Sequence, residues 1–480
     1  MDSYDLLIVG GGINGCAIAR DASIRGASVL LVEKDDLAGH TSSASSKLIH
    51  GGLRYLEYGQ IRLVREALEE REILLRTAPH IVRPLLFVLP HGRHMRPQWM
   101  IRAGLLAYDL LSIRGSLPRS RRVWRDRPAL QAPLKDRRRL LTYWDASTDD
   151  SRLTVLNAVD AAENGAEIRT RTALREASRE GDAWRAELSD DRIVAARAIV
   201  NAGGPWVSDV LARLGQTSRD RARLVKGSHI AVPKLWDGDH AYILQQPDGR
   251  VVFAMPFEAE FTLIGTTDVP VRRPEDARIS EEEIRYLCEA ADRYFNRQVV
   301  PADVVWRYSG IRALYDDGHK DAKAVTRDYH LELEPHPGPK LLSVFGGKIT
   351  TARALAKKAV DMLGIEGRRS TGWKMLPGGD LYPDFLKWLD GLSEWLPAPT
   401  VLRMSRAYGT RLKDLIGDAD SPGDLGRHYG AGLYEREVQW LVEHEFARTA
   451  EDLLWRRSKL GLHMSDAETK ALAKRMGGHA

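Results

Sequence analysis

"YDLLIVGGGINGCAIARDASIRGASVLLVEK", residues 4–34, runs from one apolar segment through a glycine turn and a helix-length stretch into a second apolar segment. Leu6 to Val9 and Val29 to Val32 have the length and continuous apolar character of buried strands. Between them Gly10, Gly12 and Gly15 form G-x-G-x-x-G. The first glycine permits a tight turn, the second lets a pyrophosphate approach the backbone, and the third allows helix to pack closely on strand. A phosphate placed there meets free N–H groups and the positive end of the helix dipole. Glu33 ends the second strand, where an acidic side chain can hold ribose hydroxyls. Strand, turn, helix and acid agree on a Rossmann-type unit that binds a dinucleotide.

Two distant segments repeat the device of an apolar strand ending in glycine. "ARAIVNAGGPW", residues 196–206, brings Ala202 and Gly203 to a strand end, and "LLSVFGGKITTAR", residues 341–353, brings Gly347, Lys348, Thr350 and Thr351 to another. Three strand ends meeting one ligand imply a large, elongated cofactor. A helix starting near Thr350 would stabilise negative charge on the N1–C2=O region of a reduced flavin. Alternating or β-branched segments at 195–201, 229–233, 251–256 and 262–266 predict strands, and 281–294 a helix capped by Ser280. The order fits an α/β core interrupted by an α+β domain. "GWKMLPGGDLYPDF", residues 372–385, marks a boundary, and beyond about residue 400 the pattern is helical.

Composition narrows the class further. The chain has 480 residues with 71 basic and 66 acidic side chains, a net +5, so two or three globular domains are expected and no strong charge bias steers it to nucleic acid. Cys16 and Cys288 are its only cysteines, which leaves no disulfide framework and no cysteine-based metal site; no metal is expected. No apolar run reaches the roughly 18 residues of a membrane span. The start enters a strand at once and leaves no room for a signal peptide, so an intracellular protein is expected, soluble or attached to a membrane surface.

"TSSASSKLIHGGLRYLE", residues 41–57, holds five hydroxyl residues in six positions and then a lysine, a histidine and an Arg-Tyr pair. Such a run is poor core material, because each donor needs a partner if buried. Together with "VGGGINGCAIARDASIRG", "VKGSHI", "IGTTD", "YSGIRAL", "TRDY", "VFGGKITTAR" and "EFARTAEDLLWRRSKLGL", it makes the chain resemble the FAD-dependent, quinone-linked glycerol-3-phosphate dehydrogenases of the D-amino-acid-oxidase-like flavoprotein superfamily. The matching segments lie in the family's order over nearly the whole chain.

The resemblance implies a discontinuous FAD-binding domain (residues 1–75, 146–215 and 337–370), an inserted α+β substrate or cap domain (76–145 and 216–336) and a C-terminal all-α domain (385–480). It implies oxidation of sn-glycerol 3-phosphate to dihydroxyacetone phosphate by hydride transfer to flavin N5, with electrons passed to a membrane quinone. The alternatives are an oxidase that passes them to oxygen and, further off, an amino-acid oxidase. Thr41, Ser42, Ser46, Lys47, His50, Gly51 and Gly52 would join the three glycine segments and Arg312 around FAD. Arg54, Tyr55, Thr266, Arg312, Arg327 and Lys348 would bind the substrate, whose phosphate dianion calls for arginine or lysine. His229 and His50 are the candidate bases for the hydroxyl proton, and Arg312 the group that holds the alkoxide-like transition state.

A helix-length apolar stretch beginning at Pro97 precedes residues 114–139, which hold ten Arg/Lys and two Asp. An apolar helix beside a cationic run suits anionic lipid headgroups. The expectation is a cytoplasmic protein, peripheral on the inner face of the cytoplasmic membrane. A homodimer stays open.

Overall fold

The computed structural model describes residues 1–91, 97–112, 115–123, 127–136, 140–216, 222–315 and 328–477. Its first sheet grows from the two apolar segments of the opening stretch. Asp2–Val9 pairs in parallel with Val29–Val32 on one side and with Ile193–Asn201 on the other. Lys340–Phe345 continues the sheet in parallel beyond Ile193–Asn201, and Glu167–Arg169 continues it beyond Val29–Val32. Leu6 and Ile8 pack on one face under the helices Ile13–Ile24, Asp150–Glu163 and Ala352–Leu363. Leu7 and Val9 pack on the other, with Trp184 and Val210. Both faces are covered, which is why these strands read as unbroken apolar runs.

The second sheet is larger and mostly antiparallel. Its spine runs Ala222–Pro233, Phe261–Gly265, Val251–Phe257, Ala241–Gln245, Val82–Pro90 and Leu140–Thr148. Trp306–Tyr315 pairs with Ala222–Pro233 from Ala222 to Ala231. The helix Glu281–Asp292 covers one face with Ile284, Leu287, Cys288 and Ala291. Its predicted cap is present: Ser280 Oγ accepts from the Glu283 N–H at 3.2 Å, and Glu283 Oε2 accepts from the Ser280 N–H at 2.9 Å.

The mixed α/β architecture and the C-terminal helical domain are as expected. The sheets divide the chain at slightly different residues. His330–Leu333 pairs antiparallel with Lys340–Phe345 in the first sheet, although the expected boundary put it in the substrate domain. A Pro/Gly-rich turn at 335–339 folds it back as a hairpin edge. The C-terminal part packs its own core from Met404, Leu412, Val438, Leu441 and Leu453. It departs from all-helix in one short pair, His428–Gly430 against Leu433–Tyr434. Among the described residues no helix is long and apolar enough to cross a membrane.

Candidate active site

A cleft of about 410 Å³ crosses the ends of the first sheet and reaches the second. Glu33, Lys34, His40 and Trp206 line it, as do His50, Tyr55, Arg312 and Lys348. At the glycine turn Gly10 has φ +116°, and a Cβ there would lie 2.5 Å from the Ala202 carbonyl oxygen, so only glycine fits. A Cβ on Gly15 would lie 1.9 Å from the Gly10 carbonyl oxygen; Gly15 packs beneath the turn and is not part of the cleft wall. The helix Ile13–Ile24 carries no acid in its first turn, leaving its positive end for a phosphate. Glu33 is buried, and its oxygens accept from the backbone N–H of Gly11 at 2.6 Å and Asp35 at 2.8 Å. Burial pushes its carboxyl up, and those two donors oppose the shift.

The hydroxyl-rich loop closes one side of this cleft. Ser42 Oγ accepts from the Ile13 N–H at 2.9 Å, fastening the loop to the glycine helix. Thr41 Oγ1 donates to the Ile311 carbonyl at 2.7 Å, fastening it to the second sheet. Ser45 donates through N and Oγ to Asp150 Oδ2, at 3.0 and 2.7 Å. These partners lie far away in sequence, so the loop is stitched to both sheets.

Toward the second sheet, strand pairing sets the side chains. Val225 lies opposite Arg312, and Gly227 opposite Gly310. Arg312 reaches the cleft beside Gly227: a Cβ there would sit 2.7 Å from Arg312 Nη2 and 2.6 Å from Thr266 Oγ1. Arg312 Nη1 is paired with Asp268, and Nη2 lies 3.4 Å from Thr266 Oγ1. His229 stacks on Tyr308 with ring centroids 4.9 Å apart, and its Nε2 is 3.0 Å from Ser46 Oγ. Its Nδ1 has no hydrogen-bond partner among the described residues. Burial first, then Arg312 and Lys47, hold His229 well below the ordinary histidine range, so it is neutral near pH 7. Lys348 Nζ lies 3.8 Å from the centre of the Tyr55 ring.

Most of the expected site residues therefore share one cleft: Gly10, Gly12, Glu33, Thr41, Ser42, Ser46, His50, Tyr55, Ala202, Gly203, His229, Thr266, Arg312, Gly347, Lys348 and Thr350. Four besides Gly15 differ. Lys47 turns away into the interior, where Nζ meets Asp150 Oδ1 at 2.6 Å. Gly51 is buried with its N–H on the Tyr108 hydroxyl at 2.8 Å. Gly52 opens instead onto a neighbouring cavity of about 1140 Å³, which shares His50, Tyr55, Phe253 and Thr266 with the first. Thr351 is buried at the start of the helix Ala352–Leu363. Arg327 and the side chain of Arg54 lie outside the described residues.

Several cleft residues were not anticipated. Asn14, inside the glycine motif, donates to the Gly346 carbonyl at 3.1 Å and joins two of the three glycine segments. Trp206 closes the cleft near Glu33, with the His40 ring centroid and Lys34 Nζ each 4.4 Å from it. Asp268, which lines the neighbouring cavity, was visible in "IGTTD", but its partner Arg312 stands 44 residues on. The cradle fits FAD. Backbone N–H groups and a helix N-terminus could take a pyrophosphate, Glu33 could take a ribose, and the two sheets enclose room for a flavin.

Residues 5–362 match the family described as FAD dependent oxidoreductase, and residues 369–476 match the C-terminal domain of alpha-glycerophosphate oxidase. The chain belongs to this family of FAD-dependent oxidoreductases and is an enzyme of that class. More particularly, it is similar to named glycerol-3-phosphate dehydrogenases along its whole length. It is 50% identical to the glycerol-3-phosphate dehydrogenase of Pseudomonas aeruginosa, covering 98% of this chain and 94% of the relative. It is 45% identical to the aerobic glycerol-3-phosphate dehydrogenase of Escherichia coli, over 97% and 95%. It is also 46% identical to the D-erythritol 1-phosphate dehydrogenase of Brucella abortus, over 98% and 97%. A solved glycerol-3-phosphate dehydrogenase from Bacillus halodurans, complexed with FAD, superposes with TM-score 0.75 at 26% identity, covering 99% and 89% of the two chains.

Proposed function

We propose that the enzyme oxidises C2 of sn-glycerol 3-phosphate to give dihydroxyacetone phosphate and delivers the electrons to a membrane quinone. The observation that carries this reading is the gathering of Tyr55, Arg312, Lys348, Thr266 and two histidines at one end of the cofactor cleft. Full-length identity to glycerol-3-phosphate dehydrogenases supports it.

Bound FAD supplies the hydride acceptor. The protein supplies charge, orientation and a proton acceptor. Arg312 and Lys348, with Arg54 and Arg327 by family resemblance, neutralise the phosphate and the alkoxide-like transition state. His229 or His50 can take the hydroxyl proton. His229 is held against Ser46 and Tyr308, so its ring is already oriented; its low basicity means it holds that proton only weakly. The apolar outer face of the helix Gln98–Leu111 and the basic segment after it would seat the enzyme on the inner face of the cytoplasmic membrane.

Anaerobic titration with sn-glycerol 3-phosphate tests the reading: the flavin should bleach at one equivalent per site. No bleaching would overturn it. Quinone reduction without hydrogen peroxide separates a dehydrogenase from an oxidase. The second cavity, open to the substrate end, favours one further arm, titration with D-erythritol 1-phosphate. Faster bleaching by that substrate would reassign the polyol.

A further inference from the structure

The C-terminal domain reaches the cofactor site through residues 452–459. Asp452–Arg457 is π-helical, and this wide turn aims two consecutive arginines at one carboxylate. Arg457 holds Asp36 with both Nη atoms, at 2.7 and 2.8 Å, and Arg456 Nε holds it at 2.6 Å. Asp36 and Arg457 are fully enclosed, with side-chain exposures of 2% and 0%. Asp36 stands three residues past Glu33 in a turn tied to the glycine motif, where the Ala38 N–H donates to the Gly11 carbonyl at 3.1 Å. From the same π-turn Asp452 accepts from Arg171 Nη2 at 2.7 and 2.9 Å. The backbone N–H groups of Arg171 and Thr172 return to the carbonyls of Asp35 and Glu33, each at 2.8 Å. Both backbone segments that form the Glu33 end of the cleft are thus fixed to each other and to the C-terminal domain.

Two residues further on, Lys459 is buried and donates to Ser151 Oγ at 2.8 Å, with Asp149 Oδ1 at 4.0 Å. Between those residues stands Asp150, which holds Ser45 and Lys47 of the hydroxyl loop. One eight-residue segment therefore fastens both the ribose end and the loop that faces the flavin. Apolar side chains of similar volume would join two domains at no loss of stability, because burying charges costs nearly what pairing them returns. What a bidentate arginine pair adds is direction.

We propose that residues 452–459 are positioning residues for FAD: the C-terminal domain holds Asp36 and Arg171 so that Glu33 meets the adenosine ribose. The test is the rate of FAD release from the holoenzyme, followed as flavin fluorescence on dilution, in Asp36→Asn and Arg171→Ala. Release should be at least tenfold faster in Asp36→Asn and severalfold faster in Arg171→Ala. The visible flavin spectrum should keep its shape, because the ring lies at the other end of the cleft. The rise in melting temperature given by a fixed excess of FAD should be smaller in both variants than in wild type. Arg171 is partly exposed, so its variant reads the same geometry if Asp36→Asn fails to fold. Wild-type release rates in both soluble variants would overturn the proposal. So would melting temperatures lowered equally with and without FAD, which marks ordinary domain cement.

Discussion

Arg312 can reach the cleft only because residue 227, across the strand pair, has no side chain to obstruct it. Its guanidinium has a fixed fork, with one nitrogen on Asp268 and another turned toward Thr266. Arg312→Lys keeps the charge but not the fork, and so cannot hold Asp268 and substrate together. It should lower kcat/KM for glycerol 3-phosphate ten- to a hundredfold, the loss of about 1.5–3 kcal/mol of charge-assisted hydrogen bonding, with little change in flavin content. Steady-state assays with a soluble dye check this; an unchanged kcat/KM removes Arg312 from the substrate contacts. A second residue sets acid sensitivity. His80 is buried, and neither ring nitrogen has a partner among the described residues. Burial first, then Arg152, lowers its pKa from 6.5 to about 3. Between those values the unfolded chain binds a proton that the native chain refuses. Stability is therefore full above pH 6.5 and falls by about 1.4 kcal/mol per pH unit below it. At pH 5 that is about 2 kcal/mol. Melting temperatures of His80→Leu should fall less steeply than wild type between pH 6.5 and 5. His229, held low by burial, and His240, lowered to about 4 by burial, leave a residual slope. Parallel curves would show that His80 does not titrate in this way.

The helix Gln98–Leu111 shows how far a pattern carries at the scale of an element. Its apolar content and its length were legible, but not which face looks outward. Trp99 is 69% exposed and Leu106 59%, while only Leu105 and Tyr108 are buried. Tyr108 anchors the helix: its hydroxyl bonds Asp145 Oδ2 at 2.8 Å and receives the Gly51 N–H at 2.8 Å. With the outer face free of core contacts, Trp99→Ser, Leu106→Ser and Leu110→Ser together should leave the fold intact and sharply reduce binding to anionic vesicles. Replacing Arg121, Arg122, Arg137, Arg138 and Arg139 with Gln, the last three outside the described residues, should remove about 1 kcal/mol for each basic residue that meets the lipid surface and weaken the salt dependence of what remains. Equal flotation of wild type and both variants would sink the membrane reading. Other elements were half legible for the same reason. The strand at 229–233 begins at Ala222, because Trp306–Tyr315 pairs with residues 222–231 and supplies the partner that local pattern cannot show. Lys47 sat in a run of cleft residues, but its partner Asp150 is 103 residues away.

For the whole molecule, the glycine turn, its strands and Glu33 were readable because local spacing alone builds them. The union of Arg312, Thr266 and His229 with Ser46 depends on the second sheet docking against the first, and only the order of family segments pointed to it. That docking leaves a cleft lined by 10–14, 41–50, 202–206, 310–314 and 346–350, five separated stretches of chain. A ligand filling it bridges two hydrophobic cores, so FAD should count as a folding element as well as a redox group. Binding to the native state alone stabilises by RT ln(1 + [L]/Kd), about 4 kcal/mol at free FAD a thousandfold above Kd. For a chain of this size the shift in melting temperature is a few degrees or less per kcal/mol. Calorimetry of flavin-stripped protein should show a lower transition that climbs with the logarithm of added FAD. Riboflavin should not reproduce the climb, because it has neither the pyrophosphate for the helix N-terminus nor the ribose for Glu33. A melting temperature indifferent to FAD would mean that the native chain does not bind it in this cleft, because any ligand of the native state alone raises the transition.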